Sequence, residues 1–531
     1  MGKMKVNVKA QPETSLRISL FDPGLTPILR AGLGGLAAAL HAIGPEALKN
    51  VGIATVSTDA VTLDWREPGN ATAFFEQLFA VCFRITDGLI DLPGSYEGDP
   101  GLEVRVAMTD ALRLTFLQHG SSANKIGSPS ARNFEIDDRA RQVLVQPYSG
   151  YVHQREWKNL AKILDKPPGK VSTVTLAGWA NPGAVERHVG LGCTDIAYTP
   201  AEALCACFAL TGCLSFLGPN RSGVLLIPEP ADLERFAETR PRLAPRSLKK
   251  CVVASAGDGV LAIHAALRTE AIKQVADGIA GITATALRAT AWASQQKSRT
   301  DSLVASHYDL KTLESFHRLM AHCPPRIVAT KGKKANEPGG YWGIPSSLRG
   351  FVADNVAKIR PFYTGFANAK TRDDPPQWMH RFHSSNDNLG ALRFPDDQKG
   401  LIAMIDTLTE AERRLVSATH TALRRRFGAI ADENSGNAAA FKNRCQSERD
   451  KWRLAFAGAR THEQVRHALA DLWSRAGTVK ELQGDGWQSL QMLLRPESWE
   501  SARDLALIAL ASYQGKGSDD VTSSTSSTEK A

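Results

Sequence analysis

The spacing of apolar residues changes near position 400 of this chain of 531 residues. Upstream, some stretches alternate apolar and polar residues with the period of two that strands show, and others repeat at three to four, as helices do. From 400 to 514 the apolar stretches all repeat at three to four. The pattern therefore predicts an α+β protein whose C-terminal part, 400–514, is a bundle of four or five helices. The polar tail, 515–531, is predicted to be disordered.

The first 95 residues carry the signals of a small, separate unit. Strand and helix patterns follow one another there in the order β-α-β-β-α-β, which is the ferredoxin-like arrangement that also underlies many RNA-binding modules. Four residues of its first helix, Gly32 to Gly35, read GLGG and loosely resemble a dinucleotide-binding motif. They lie inside the helix and not at the turn before it, so close helix packing explains them better.

Residues 96–399 predict a mixed α/β region. Its clearest elements are a buried strand at 222–230 and a helix at 231–240. Further on, the sequence predicts a strand at 249–256, a helix at 262–278 and then a long irregular region rich in Pro, Gly and basic residues.

Positive charge is concentrated in one part of the chain. The net charge is −3 for residues 1–239, +11 for 240–399 and +1 for 400–531. A local excess of this kind favours a polyanionic partner such as a phosphate backbone. A basic surface that only aids solubility is the alternative. The eight cysteines have no paired spacing, and we see no export signal or membrane-spanning run, so the sequence predicts a cytoplasmic protein without a membrane partner.

Motifs of catalysis and metal binding are missing from the sequence. It contains no G-x-S-x-G, Walker A, H-E-x-x-H or C-x-x-C pattern. The best cluster of ligand-type side chains is His380, His383 and Asp387, which leaves a metal-dependent nuclease or hydrolase as the alternative function. We expect instead a binding subunit that is not an enzyme and has no cofactor.

The basic region 240–399 combines cations, aromatic rings and amides, the side chains that contact phosphates, stack on bases and read base edges. One such group is the stretch WASQQKSRT (292–300), expected to form a loop, and another is the basic stretch RPRLAPRSLKK (240–250), which includes Arg240, Arg242 and Arg246. The predicted nucleic-acid-binding residues are Lys249, Lys250, Trp292, Gln295, Gln296, Lys297, Arg299, Lys331, Lys333, Lys334 and Asn336.

Three stretches carry a resemblance to a known family. They read FDPGLTPILRAGLGGLAAAL, GVLLIPEPADLERFAE, and WASQQKSRT followed by IPSSLRGFVADNVAKIRPFYTGF. Together they resemble the large subunit of a type I CRISPR effector complex (Cascade) of the MYXAN subtype. None of these stretches is a catalytic motif.

The resemblance implies a non-catalytic subunit of an antiviral ribonucleoprotein complex. Such a subunit contacts the 5′ handle of the guide RNA, recognises the motif that flanks a double-stranded DNA target, and helps to open the duplex. It assembles with the Cascade backbone subunits and docks a helicase-nuclease or a transposition adaptor, and its C-terminal bundle contacts the displaced strand. A structural partner of RNA or ribosomes outside any CRISPR system is a further alternative.

Overall fold

The computed structural model describes residues 13–136, 138–166, 173–183, 195–269, 276–290, 293–305, 308–332, 337–368 and 388–514. The chain divides into two compact units: the first comprises 1–313 and 325–345, and the second 314–324 and 346–531. The first unit combines strands and helices, and the described part of the second contains helices only, which confirms the α+β class. The boundaries that the sequence suggests near 95 and 399 stay predictions, and the tail, 515–531, lies outside the described residues.

The described strands are β1 (Ser15–Ser19), β2 (Ile53–Val56), β3 (Ala60–Asp64), β4 (Arg84–Thr86), β5 (Leu89–Asp91), β6 (Ala123–Lys125), β7 (Ser130–Ile136), β8 (Arg139–Val145), β9 (Tyr148–Tyr151), β10 (Val174–Leu176), β11 (Ile196–Tyr198), β12 (Leu214–Leu217), β13 (Gly223–Pro230), β14 (Ile279–Thr290), β15 (Ala293–Ala305), β16 (Arg326–Lys331) and β17 (Pro338–Ile344). The described helices are α1 (Pro27–Ile43), α2 (Ala71–Cys82), α3 (Leu102–Leu114), α4 (Trp157–Leu164), α5 (Pro200–Gly212), α6 (Leu233–Arg242), α7 (Ala256–Leu267), α8 (Leu310–His322), α9 (Ser347–Ala357), α10 (Asn388–Ile405), α11 (Glu410–Glu433), α12 (Ala438–Gly458), α13 (His462–Ala476), α14 (Asp485–Leu493) and α15 (Trp499–Ser512).

The predicted order β-α-β-β-α-β is present at the start of the first unit. Strands β1, β3 and β2 form an antiparallel sheet in that order, which is the arrangement of three strands in a ferredoxin-like unit. The fourth strand, β4, pairs with β5 in a short hairpin and not with this sheet. The turn between β4 and β5 is formed by Asp87 and Gly88, which both have a positive φ, and such turns favour a tight hairpin.

The glycines of α1 allow this helix to lie directly on α5. A Cβ atom on Gly32 would stand 1.9 Å from the carbonyl oxygen of Cys205, and one on Gly212 would stand 1.8 Å from that of Ala31. Any larger residue would force the two backbones apart. Close helix packing is therefore confirmed as the reason for the GLGG stretch.

Further along the first unit, β12, β13, β14 and β15 form a four-stranded antiparallel sheet. The predicted strand at 222–230 and the helix at 231–240 are confirmed as β13 and α6. The predicted strand at 249–256 is wrong, because Leu248–Cys251 is a 3-10 turn and α7 begins at Ala256. The Ser255 hydroxyl accepts from the Asp258 backbone N–H at 3.1 Å, so it caps the helix at a point where a strand would have continued.

The region after 300 has more regular structure than its composition predicts. It contains α8, the β16–β17 hairpin and α9, so the predicted irregular region is wrong over these elements. The stretch 292–300 was also expected to form a loop, yet residues 293–300 belong to strand β15. Polar and glycine-rich strands lack the apolar alternation by which strands are found in a sequence.

The second unit is built around helices α10 to α15, with α9 before them. The sequence pattern runs through α10 and α11 as one helix, but the structure separates them at Thr409. Thr409 and Glu412 form a reciprocal capping box there, with the Thr409 backbone N–H donating to Glu412 Oε2 at 2.8 Å. In the part of the chain that the structure describes, no helix has the length and apolar character needed to cross a membrane.

Candidate nucleic-acid interface

Two β-hairpins of the first unit border an open cavity of about 830 Å³. One hairpin is β7–β8 and the other is β16–β17, and β17 lies against β8. Arg139, Arg141 and Lys331 line this cavity together with Gln142, while Glu337 supplies a negative charge at its edge. We call this cavity the hairpin groove.

The arginines of the groove lie on the core-facing side of the β7–β8 hairpin. Arg141 stands opposite Phe134 and Arg139 opposite Ile136, and residues directly opposite in an antiparallel pair share a face. Phe134 and Ile136 are buried, whereas both arginines are exposed. The same face therefore places an exposed arginine across from a buried apolar side chain at two rungs of the hairpin, and both arginines line the groove.

A partly buried hydrogen bond holds the second hairpin in position. The Tyr341 hydroxyl on β17 donates to Asp110 Oδ2 on α3 at 2.9 Å. Burial raises the pKa of Asp110 to about 6, against the opposing effects of the Tyr341 hydrogen bond and the Arg113 charge. The Tyr341 ring also packs on Phe134 with 5.6 Å between ring centres. The two walls of the groove are thus fixed to each other through Tyr341.

The outer face of the β16–β17 hairpin carries an exposed aromatic ring. Trp342 is 36% exposed and stands opposite Val328, which is 41% exposed. The Arg221 guanidinium lies 4.7 Å from the centre of the Trp342 ring, within the range of a cation–π contact. An accessible ring beside a cation can stack on an unpaired base.

The predicted residues Lys249 and Lys250 lie on the apolar cluster that supports the groove. Both are exposed on the turn Leu248–Cys251. Leu248 and Cys251, on either side of them, pack into the buried cluster that contains Phe134 and Ile327. Lys331 is exposed at the end of β16, and the other predicted residues of its loop, Lys333, Lys334 and Asn336, lie outside the described residues.

The other cations of the stretch 240–250 are engaged within the protein. Arg240 is 3% exposed and donates to the carbonyl oxygens of Gly212, Ser95 and Cys213 at 2.6–3.0 Å. Arg242 and Arg246 both form ion pairs with Glu97. The prediction that Arg240 contacts a nucleic acid at the surface is therefore wrong. Its buried charge instead stabilises the C-terminal end of α5.

Comparisons with known proteins match most of the chain. The DevT N-terminal domain matches residues 17–207, and the DevT C-terminal domain matches residues 404–531. The CRISPR-associated protein Cas8a1/Csx13 of Myxococcus xanthus (strain DK1622) is 44% identical over 529 residues, covering 96% of this chain and 90% of that protein.

The chain belongs to the Cas8a1/Csx13 family. The resemblance to a Cascade large subunit of the MYXAN subtype is thereby confirmed. In this Cas8a1/Csx13 chain, Arg139 and Arg141 lie within the match to the DevT N-terminal domain, and Lys331 lies between the two matched regions. The groove therefore joins residues from two parts of the sequence, which a reading along the chain does not reveal.

The stretch that includes Gln295, Gln296, Lys297 and Arg299 belongs to β15 in this family member. Lys297 stands opposite Ala289 and Arg299 opposite Leu287 in the pairing with β14. Trp292 lies outside the described residues. Contact between these residues and a nucleic acid stays a prediction.

Metal binding has no support in the described part of this Cas8a1/Csx13 chain. No group of three or more His, Cys, Asp or Glu side chains there could hold a metal ion. The cysteines of α5, Cys205 and Cys207, are buried, and burial raises the pKa of both thiols, so they behave as apolar core residues. The cluster His380, His383 and Asp387 lies outside the described residues.

Proposed function

We propose that this Cascade large subunit binds nucleic-acid phosphates in the hairpin groove. The observation that carries the proposal is the meeting of Arg139, Arg141 and Lys331 around one open cavity, where Glu337 is the one acidic side chain among the described lining residues. Arginine and lysine supply the phosphate contacts that dominate affinity for nucleic acids, and two arginines can each bind a phosphate through two N–H groups.

Exposed neighbours extend this surface beyond the groove. Lys249 and Lys250 add charge on the same apolar cluster, and Trp342 adds a ring that can stack on a base. Phosphate contacts give affinity without reading sequence, which suits a complex whose guide RNA supplies the sequence information by base pairing.

The wider role follows from the family. We propose that the chain is a non-catalytic subunit of a cytoplasmic antiviral complex, and that it contacts the guide RNA handle and double-stranded target DNA beside the Cascade backbone subunits. Recognition of the target-flanking motif and docking of a helicase-nuclease or a transposition adaptor belong to the same proposal. In this proposal, an enzyme that is a separate protein chain would then act on the guide-paired DNA.

The test uses the complex assembled by co-expression with its backbone partners. We expect the complex to co-purify with a short RNA and to bind target duplex in a salt-sensitive way. Charge reversal of R139E together with R141E should weaken duplex binding on the order of 100-fold, since each arginine contributes a charge-assisted hydrogen bond.

A matched control is K162E with K166E, which makes the same change in net charge at two exposed lysines outside the groove. This control should retain affinity within about threefold, the size of a non-specific charge effect. A complex that forms without this chain and binds target equally well would contradict the proposed role. Equal losses from the two double variants would contradict the groove.

The β15 residues have their own test in the same complex. Reversal of K297E with R299E should lower nucleic-acid affinity on the order of tenfold if these cations face phosphates. Unchanged affinity would mean that this part of β15 is a solvated strand.

A further inference from the structure

A second cavity of the first unit, about 310 Å³ in volume, combines aromatic rings with hydrogen-bonding groups. It is formed by the segment after α3, the start of α4 and the turn Gly178–Ala180. The rings of Phe116 and Trp179 and the polar side chains of Gln118, His119, Ser121 and Glu156 line it. The cavity is separate from the hairpin groove, because the two share no lining residue.

Trp179 has a hydrogen-bond donor without a partner. Its side chain is 6% exposed, yet the indole Nε1–H makes no hydrogen bond with any residue that the structure describes. An indole nitrogen only donates, so its missing partner is an acceptor. A buried donor left in this state costs free energy that a ligand oxygen or ring nitrogen in the cavity would restore.

The side of the Trp179 ring that packs on the protein is held by His153. The two ring centres are 3.9 Å apart, and His153 is fully buried. Burial lowers the pKa of His153 to about 3, so the imidazole is neutral near neutral pH. Ring packing on His153 therefore fixes the Trp179 ring in the cavity wall, and its N–H has no acceptor among the described residues.

Glu156 supplies an acceptor to the same cavity. Within the part of the chain that the structure describes, its carboxylate accepts one long hydrogen bond, of 3.5 Å, from the Asn159 side chain at the start of α4. Partial burial of the carboxylate raises the pKa of Glu156, against the opposing effect of the Asn159 hydrogen bond. A group that donates two N–H bonds side by side would satisfy it best.

We propose that this cavity binds one unstacked nucleobase, with guanine preferred. Guanine presents N1–H and an N2 amino group side by side for the Glu156 carboxylate, and O6 and N7 as acceptors for the Trp179 N–H. Single-stranded nucleic acids are recognised in this way, by splayed bases that meet aromatic rings and are hydrogen-bonded on their edges. The inference rests on the proposed function only in taking a nucleic acid as the source of the base.

The experiment titrates the full chain with the 5′-monophosphates of guanosine, adenosine, cytidine and uridine and measures binding by ligand-observed NMR. We expect the guanosine nucleotide to bind most tightly. The variant E156Q should bind it about tenfold more weakly, because a neutral amide presents only one acceptor oxygen and an N–H₂ group that opposes the guanine donors. The variant W179F should show a loss of similar size while keeping an aromatic ring against His153.

The matched control is E238Q, which changes an exposed glutamate on α6 outside this cavity and should leave nucleotide binding unchanged. Thermal unfolding of each variant separates a local effect on binding from unfolding of the protein. The inference is overturned if none of the four nucleotides binds, if uridine binds as well as guanosine, or if stably folded E156Q binds like the wild type.

Two further experiments identify whether the bound base comes from a polynucleotide or a free nucleotide, and test whether this site is independent of the hairpin groove. A single-stranded RNA or DNA hexamer with one guanine that competes with the mononucleotide identifies a polynucleotide as the source, whereas absence of competition identifies a free nucleotide. Either result supports a nucleobase site. The variant R139E/R141E should bind the guanosine nucleotide normally, so failure of the groove proposal would leave this one standing.

Discussion

The hairpin groove of the first unit and the helices of the second unit differ in how their surface cations are paired. In the second unit, basic side chains are neutralised by acids on the same or a neighbouring helix: Arg414 pairs with Glu410, Arg426 with Glu448, and Arg475 with Asp471. In the hairpin groove of the first unit, Arg139 and Arg141 form no ion pair with any described residue. Whether each cation is paired with an acidic side chain is therefore a better indicator of a phosphate-binding surface than the net charge of a region.

A helical glycine in each unit gives a second contrast. In the first unit, Gly32 lies at a contact between α1 and α5 that admits no side chain. In the second, Gly428 lies inside α11 and a Cβ added there would meet no atom within 4 Å. One glycine is required by packing, and the other only weakens its helix.

The largest effect should come from G32A. The added methyl group would collide with the backbone of Cys205, so we expect the first unit to lose more than about 3 kcal/mol of unfolding free energy. The contrasting variant, G428A, should raise the unfolding free energy by about 0.5–1 kcal/mol, because alanine has a higher helix propensity than glycine. Chemical denaturation followed by circular dichroism measures both. Similar changes in the two variants would remove the contrast between these two glycine sites.

A second comparison concerns a tyrosine that donates to a carboxylate in each unit. Tyr341 donates to Asp110, and Tyr363 donates to Glu412. The change Y341F leaves the partly buried carboxylate of Asp110 without this donor and should lower the unfolding free energy by about 1–3 kcal/mol. Y363F should cost less, since Glu412 keeps its bond to the Thr409 backbone N–H. Equal losses in denaturation experiments would show that the groove wall does not depend on this bond.

The same pair predicts a pH dependence. The pKa of Asp110 is about 6 in the folded chain against an ordinary value of 3.8, so the folded state holds the proton more tightly. The contribution of Asp110 to unfolding free energy therefore falls as pH rises from about 4 to 6. D110N should remove that part of the pH dependence and be relatively more stable above pH 6. Parallel curves of stability against pH for wild type and D110N would contradict this assignment.

The smallest effect concerns backbone strain. Ile359, at the end of α9, has a φ of 55° and is 83% exposed. A branched residue is strained in this conformation, and glycine would relieve the strain. Glycine also makes the unfolded chain more flexible, which offsets part of the gain, so I359G should raise the unfolding free energy by about 0.5–1 kcal/mol. Asn220 of the first unit has a φ of 53°, which an asparagine tolerates, and N220G should change thermal stability little. A destabilised I359G would mean that the side chain makes a stabilising contact.

Long periodic elements could be predicted from the sequence because their local signals agree with their packing. Helix α13 begins after Thr461, a residue type favoured at helix N-caps, whose side chain accepts from the Gln464 backbone N–H. Helix α14 was missed because its nine residues give too few repeats of the apolar pattern. The β16–β17 hairpin was missed for a different reason, since its loop and glycines obscure the alternation of its strands.

The groove could be predicted only in part. The basic loop indicates Lys331. Arg139 and Arg141 lie in residues 1–239, whose net charge of −3 gives no sign of a local positive surface. The alternation in the stretch RARQVLV (139–145) places both arginines on one face and could have found them. Arg240 was overcounted because burial against three carbonyl groups leaves no trace in charge counting.

The salt dependence of target-duplex binding by the assembled complex tests the central claim most directly. The groove variant, R139Q with R141Q, should reduce the slope of log affinity against log salt by about 2, because each arginine that no longer neutralises a phosphate lowers it by about 1. The paired-cation variant, R414Q with R475Q, should leave the slope of the wild type unchanged. An unchanged slope in the groove variant, or the same reduction in both, would contradict a phosphate-binding groove between the two hairpins.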